Sequence, residues 1–74
     1  MRYVVKFRWD AENAVWTATS DDVRGLVLES GSFDALLERV KQAVPELLAL
    51  NGGKASDIRL SYSAEREDLI PVYG

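Results

Sequence analysis

Apolar side chains recur every second residue at the start of this chain and every third or fourth residue in its middle. That change of period constrains the fold more than any other feature. Tyr3, Val5, Phe7 and Trp9 alternate with Arg2, Lys6, Arg8 and Asp10, and only Val4 breaks the polar set. A period of two puts four large apolar side chains on one face of a strand. Further on, Phe33, Leu36, Leu37, Val40, Ala43, Val44, Leu47 and Leu48 form one stripe at helical spacing. Asp34, Glu38, Arg39, Lys41, Gln42 and Glu46 occupy the other side of that helix.

The segments between and after these two patterns complete the order. Ala11-Glu12-Asn13-Ala14 supplies a turn, with Asn13 the residue most tolerant of a left-handed conformation. A loop of two or four residues pairs Asp10 with Val15, Trp9 with Trp16 and Phe7 with Ala18. A three-residue loop slips the register by one and turns Trp16 outward, so the Trp9–Trp16 pairing is expected. The strand VWTATS ends at Asp21-Asp22, Gly25 permits a sharp turn, and Leu26 and Leu28 continue the inward face. Ser32 is the expected N-cap, with Asp34 favourably placed against the helix dipole.

Pro45 removes one backbone donor within the helical pattern, so a kink is expected, or a break with a second short helix. Asn51-Gly52-Gly53 is a stop signal. Ile58, Leu60, Tyr62 and Ala64 alternate with Arg59, Ser61 and Ser63 as a fourth strand. Glu65-Arg66-Glu67-Asp68 reads as a solvated turn or edge, and Leu69-Ile70-Pro71-Val72-Tyr73 as a short edge strand or a frayed end. The expected fold is therefore α+β with two layers and the order β-β-β-α-β. A three-stranded antiparallel meander is followed by one Pro-kinked helix and a returning strand, with the helix packed on one sheet face.

Seventy-four residues make one domain, here residues 1–74. A domain this small buries only ~60% of its unfolded surface, so its stability is expected to be marginal. The chain has neither cysteine nor histidine. Disulfides, thiolate ligands, the usual general base and the commonest metal ligand are therefore all missing. The formal charge of −3 gives no general reason to bind nucleic acid. No apolar stretch approaches the ~20 residues that span a bilayer. The alternating N-terminus does not read as a signal peptide, and a soluble cytoplasmic domain is expected.

Chemistry finds little to hold in this sequence. Ser20, Ser30, Ser32, Ser61 and Ser63 have no histidine to activate them, and no serine–x–x–lysine pattern occurs. Gly52-Gly53-Lys54 follows a helix and lacks phosphate-loop spacing. Asp10 and Glu12 fall at one hairpin tip and Asp21 and Asp22 near the opposite end, where turn aspartates ordinarily cap backbone amides. No catalytic, cofactor-binding or metal-binding residues are assigned, and no enzyme is expected. Arg2, Lys6 and Arg8 share one face of the first strand, with Arg24 and Arg59 as neighbours. The aromatic side chains fall on the face the helix covers, where they cannot stack on bases. Direct DNA or RNA binding is not expected. What remains is the uncovered sheet face of Val4, Lys6, Arg8, Val15, Thr17, Thr19, Val27 and Glu29. It is neither strongly polar nor strongly apolar, and it is the candidate partner or oligomer surface.

The segments WDAENAVWTATSDDVRGLVLE and LLERVKQAVPELLALNG carry a resemblance over nearly the full length. Its most specific elements are Trp9-Asp10, Val15-Trp16, Asp21-Asp22 with Gly25-Leu26, and Val44-Pro45-Glu46-Leu47. The chain resembles a short HicB-like bacterial family of unknown function, related to the HicB antitoxin domain. That resemblance implies a bacterial cytoplasmic protein that packs against a small RNA-cleaving HicA-type toxin and occludes its active site. Full antitoxins commonly carry a C-terminal DNA-binding segment, for which this sequence has no room, so autorepression is not implied. No catalytic residues carry over, and Asp21, Asp22 and Gly25 do so only as turn positions. The competing reading is a self-associating homodimer with no toxin partner.

Overall fold

The computed structural model describes residues 2–52 and 57–74. The expected stop at Gly53 and the segment Lys54–Ser56 lie outside them. Strands β1 (Arg2–Asp10), β2 (Val15–Thr19) and β3 (Val27–Ser30) precede helix α1 (Phe33–Leu50), and β4 (Arg59–Glu65) follows it. The sheet order is β3-β2-β1-β4. The first three strands form the antiparallel meander, and β4 returns parallel to β1 on the far side.

The hairpin has the register that burial demands. Trp9 pairs with Trp16, Phe7 with Ala18 and Asp10 with Val15 across a four-residue loop. The left-handed residue in that loop is Ala14 at φ 53°, not Asn13. Asn13 is held by its own bonds: its side-chain amide donates to Asp10 Oδ2 at 2.8 Å, and its backbone N–H donates to Asp10 Oδ1 at 3.3 Å. Asp10 Oδ1 also accepts from the Glu12 N–H at 3.1 Å. The carboxylate thus organises the turn, and the left-handed step moves one residue on.

Phe7 sits at the centre of the core. Its ring lies 4.9 Å from Phe33 at the helix start and 5.7 Å from Tyr62 on β4. Phe33 stands 5.1 Å from Trp16, which stands 5.5 Å from Trp9. Val5, Ala18, Leu36, Val40 and Val44 are fully buried around this chain of rings. The helix backbone comes closest to β2 and β3. Cover is therefore uneven, and Tyr62 on β4 remains 40% exposed.

Two local features differ from the sequence expectation, and an open alternative at Pro45 is decided. β2 ends at Thr19 and releases Ser20 into the following loop. Val23, a lone apolar residue in the turn DDVRG, is fully buried beside Leu26. Of the two alternatives at Pro45, the break with a second short helix falls away: α1 is one helix from Phe33 to Leu50, as the expected fold has it. The apolar stripe continues on both sides of the proline, with Val40 and Val44 before it and Leu47 and Leu48 after it, all packed on the same core. Pro45 itself faces solvent, so the carbonyl that loses its helical partner can be hydrated. Ser32 caps the helix as expected, its hydroxyl accepting from the Ala35 N–H at 3.2 Å. Asn51 caps the other end, and Gly52 follows at φ 84°. Residues 66–74 add no strand to the sheet. No described helix is long and apolar enough to cross a membrane.

An exposed proline in a continuous helix costs a bond and strains the turn, up to ~3 kcal/mol relative to alanine. Pro45→Ala is expected to stabilise the domain by about 1–3 kcal/mol, read as a higher urea midpoint with an unchanged slope.

Candidate partner-binding surface

Strand pairing turns the eight candidate residues into an ordered surface. Lys6, Thr19 and Val27 lie in one row across β1, β2 and β3, and Ser63 extends it onto β4. Arg8, Thr17 and Glu29 form the next row, extended by Glu65. Val4 sits beside Ser61, and Val15 beside Asp10 at the hairpin end. All eight share the face opposite the helix, because side chains alternate along each strand. Val4, Val15 and Thr17 are half-buried, whereas Lys6, Arg8, Thr19, Val27 and Glu29 are exposed.

This face is concave. A shallow trough of about 730 Å³ runs across it, with Lys6, Arg8, Thr17, Thr19 and Ser63 among its lining residues. Asp10, Glu12, Asp21 and Glu65 also line it. Asp10 reaches this face by the alternation of β1, whereas Glu12, Asp21, Ser63 and Glu65 went unassigned to it, because only the parallel register of β4 and the path of the turns bring them there. Arg59 does neighbour the basic strand, paired with Arg2. Arg24 lies elsewhere: its carbonyl accepts from the Asn51 side chain at the helix C-terminus.

The electrostatics of the trough are loose. Lys6 Nζ lies 3.5 Å from Asp21 Oδ2, and an Arg8 guanidinium nitrogen lies 3.9 Å from Glu65 Oε2. All four side chains are more than half exposed, so such pairs contribute only about 0–1 kcal/mol. A partner can break them at little cost. Hydrogen bonds from Asn13 hold the exposed Asp10 carboxyl below the usual carboxylate range. That direction is opposite to the one a general acid at neutral pH requires.

The floor is anchored from the loop after β2. Ser20 Oγ donates to the Val4 carbonyl at 2.6 Å and accepts from the N–H groups of Asp22 at 3.0 Å and Val23 at 3.2 Å. Asp22 Oδ2 accepts from the Val4 N–H at 2.7 Å. Gly25 turns the same loop at φ 87°, with Leu47 close behind it. The serine and aspartate of the turn thus bind backbone, and Val23, next in the chain, is buried in the core.

A single helix on one face of a mixed four-stranded sheet, with an open polar trough on the other, defines a small two-layer α+β class. Within it, the chain belongs to the family described as a domain of unknown function (DUF1902), whose model matches residues 2–73. It is similar to the crystal structure of hypothetical protein TTHA1013 from the extremely thermophilic bacterium Thermus thermophilus. The two share 37% identity at a TM-score of 0.80, over 95% of this chain and 100% of that one. Among curated proteins nothing matches.

Two outcomes follow for the anchoring groups. Ser20→Ala leaves the Val4 carbonyl and two loop amides without their partner. It is expected to cost about 1–3 kcal/mol, seen as a fall in the thermal midpoint. For Asp10 the folded pKa is lowered, so its contribution is full above the unfolded value of about 3.9. It disappears as pH falls through the lower folded value. Urea midpoints followed down to about pH 2 are therefore expected to drop further for the wild type than for Asp10→Ala.

Proposed function

We propose that this chain is a non-catalytic protein-binding module that captures a small RNA-cleaving toxin in the cytoplasm and occludes its active site. The observation that carries this reading is the open trough. It is concave, held on a rigid sheet, and bordered by Asp10, Glu12, Asp21 and Glu65. A protein that cleaves RNA must present a basic surface to its substrate. The acidic side chains around the trough, on a chain of formal charge −3, complement such a surface. The loose Lys6 and Arg8 ion pairs can open to meet the toxin's own acidic groups. The resemblance of Trp9-Asp10, Asp21-Asp22 and Val44-Pro45-Glu46-Leu47 to HicB-like proteins supports the same partner class. A surface without histidine or cysteine suits occlusion better than chemistry.

Co-expression with an RNA-cleaving protein encoded beside this chain is the direct test. Growth is expected to be restored and the two chains to co-purify. Glu12→Lys combined with Asp21→Lys is expected to weaken capture about tenfold or more, with a shallower salt dependence. If no neighbouring gene encodes such a protein, or if the pair neither associates nor restores growth, the reading fails.

A further inference from the structure

The trough leaves one part of the sheet unaccounted for. β4 is an edge strand, and among the described residues nothing pairs with its outer side. Exposed edges are ordinarily blunted by lysine, proline, a bulge or short length. The other edge, β3, is only four residues long. β4 is a seven-residue strand, Arg-Leu-Ser-Tyr-Ser-Ala-Glu, with neither lysine nor proline. Beyond it, Leu69, Ile70, Val72 and Tyr73 are all at least 72% exposed. The molecule measures 58 Å along its longest axis against 21 and 18 Å across, so this segment extends away from its own core.

We infer that β4 is the self-pairing edge of a homodimer, joined antiparallel to β4 of a second copy about a two-fold axis through Tyr62. The strand is complementary to its own reverse. In that register Arg59 faces Glu65 of the second copy, Leu60 faces Ala64, Ser61 faces Ser63, and Tyr62 faces Tyr62. Opposite charges fall opposite each other twice, once on each side of the axis. Because alternation is preserved, Arg59 and Glu65 meet on the trough face while Leu60, Tyr62 and Ala64 meet on the helix face. The half-covered Tyr62 gains its missing neighbour there. One continuous eight-stranded sheet results, with both helices on one side.

The C-terminal segment fits the same occupant. Nine residues from Arg66 to Gly74 reach up to ~30 Å when extended. Continuing in line with β4, they pass the start of β4 in the second copy, where its helix also ends. Leu50, 82% exposed at that helix end, is apolar surface for Leu69 and Ile70 to cover. A domain of 74 residues without a disulfide gains core most readily from a second copy of itself.

The absence of cysteine makes the test clean. Residues directly opposite in an antiparallel pair stand about 4.5–5.5 Å apart at Cα, within disulfide reach, whereas diagonal neighbours at about 7–8 Å are not. Tyr62→Cys is therefore expected to form a disulfide-linked dimer under mild oxidation. Ser61→Cys alone is not, but Ser61→Cys mixed with Ser63→Cys is. Sedimentation equilibrium of the purified chain, with no toxin present, is expected to show a dimer. Arg59→Glu should weaken it about tenfold by opposing like charges at two places, and Arg59→Glu with Glu65→Arg should restore it. A wild-type monomer at high micromolar concentration overturns the inference. So does cross-linking of Ser61→Cys alone as fast as Tyr62→Cys, or a charge swap that fails to rescue a folded variant. All of these measurements are made on the chain alone, so failure of the dimer is distinguished from failure of toxin capture, which co-expression tests separately.

Discussion

Everything else in this fold depends on where the Phe7 ring goes. It lies on the central strand and contacts Phe33 from the helix and Tyr62 from the returning strand. Trp16 and Trp9 extend that line of rings to the hairpin end. A large aromatic side chain contributes several kilocalories when buried, and its ring geometry adds about 0.5–1.5 kcal/mol per pair. In a domain this size, those terms fix the register. Slipping β2 by one residue would move Trp16 to the trough face and break the line in its middle. The trough exists because the opposite choice is enforced: with every large ring on the helix side, the other face is left to threonine, serine, valine and charge.

The elements most legible in the residue pattern are those set by local periodicity and burial. The Trp9–Trp16 register, the Ser32 cap, the helical stripe and the alternating fourth strand all follow from such rules. So does the face carrying Val4, Lys6, Arg8, Val15, Thr17, Thr19, Val27 and Glu29, because alternation assigns faces without knowledge of strand order. Where the pattern left alternatives open or pointed to the wrong residue, competition between local and tertiary terms decided. A proline ordinarily ends a helix, yet the apolar stripe on both sides of Pro45 shares one core, and packing outweighs one lost bond. Asn13 tolerates a left-handed conformation, but its bonds to Asp10 hold it elsewhere and pass the role to Ala14. Val23 stands alone in a polar turn with no periodic partner, and only the path of the loop shows it to be core. Of the acidic side chains around the trough, Asp10 follows from the alternation of β1, but Glu12, Asp21 and Glu65 depend on loop paths and long-range pairing that no local pattern encodes.

Those acidic groups separate two kinds of association surface on one sheet. The trough is polar, weakly paired and open, which suits a partner that arrives and leaves with a balance of charges. The β4 edge offers outward-facing N–H and C=O groups at alternate positions along seven residues, which suits pairing through main-chain hydrogen bonds. The cation–π contact of Arg66 over Trp9, at 4.1 Å, lies just past the end of β4. It extends β4 by one side chain on the helix face and ties the start of the C-terminal segment to the ring line of the core. The first residue of the segment is therefore held against the domain.

Sheet extension and trough binding are compatible because they use different directions of the same strands. Pairing at β4 proceeds within the sheet plane, whereas a partner in the trough approaches along the sheet normal. In a sheet joined in the inferred way the two troughs would lie on one face, related by the axis through Tyr62. Each would be flanked by its own Glu65, which pairs with Arg8 of the same copy and would be shared with Arg59 of the other. A protein seated in one trough would then meet a charge belonging to both copies, so dimerisation would tune the affinity of the trough without covering it. That coupling would run through a single carboxylate, the one that already lies 3.9 Å from Arg8 in the single copy.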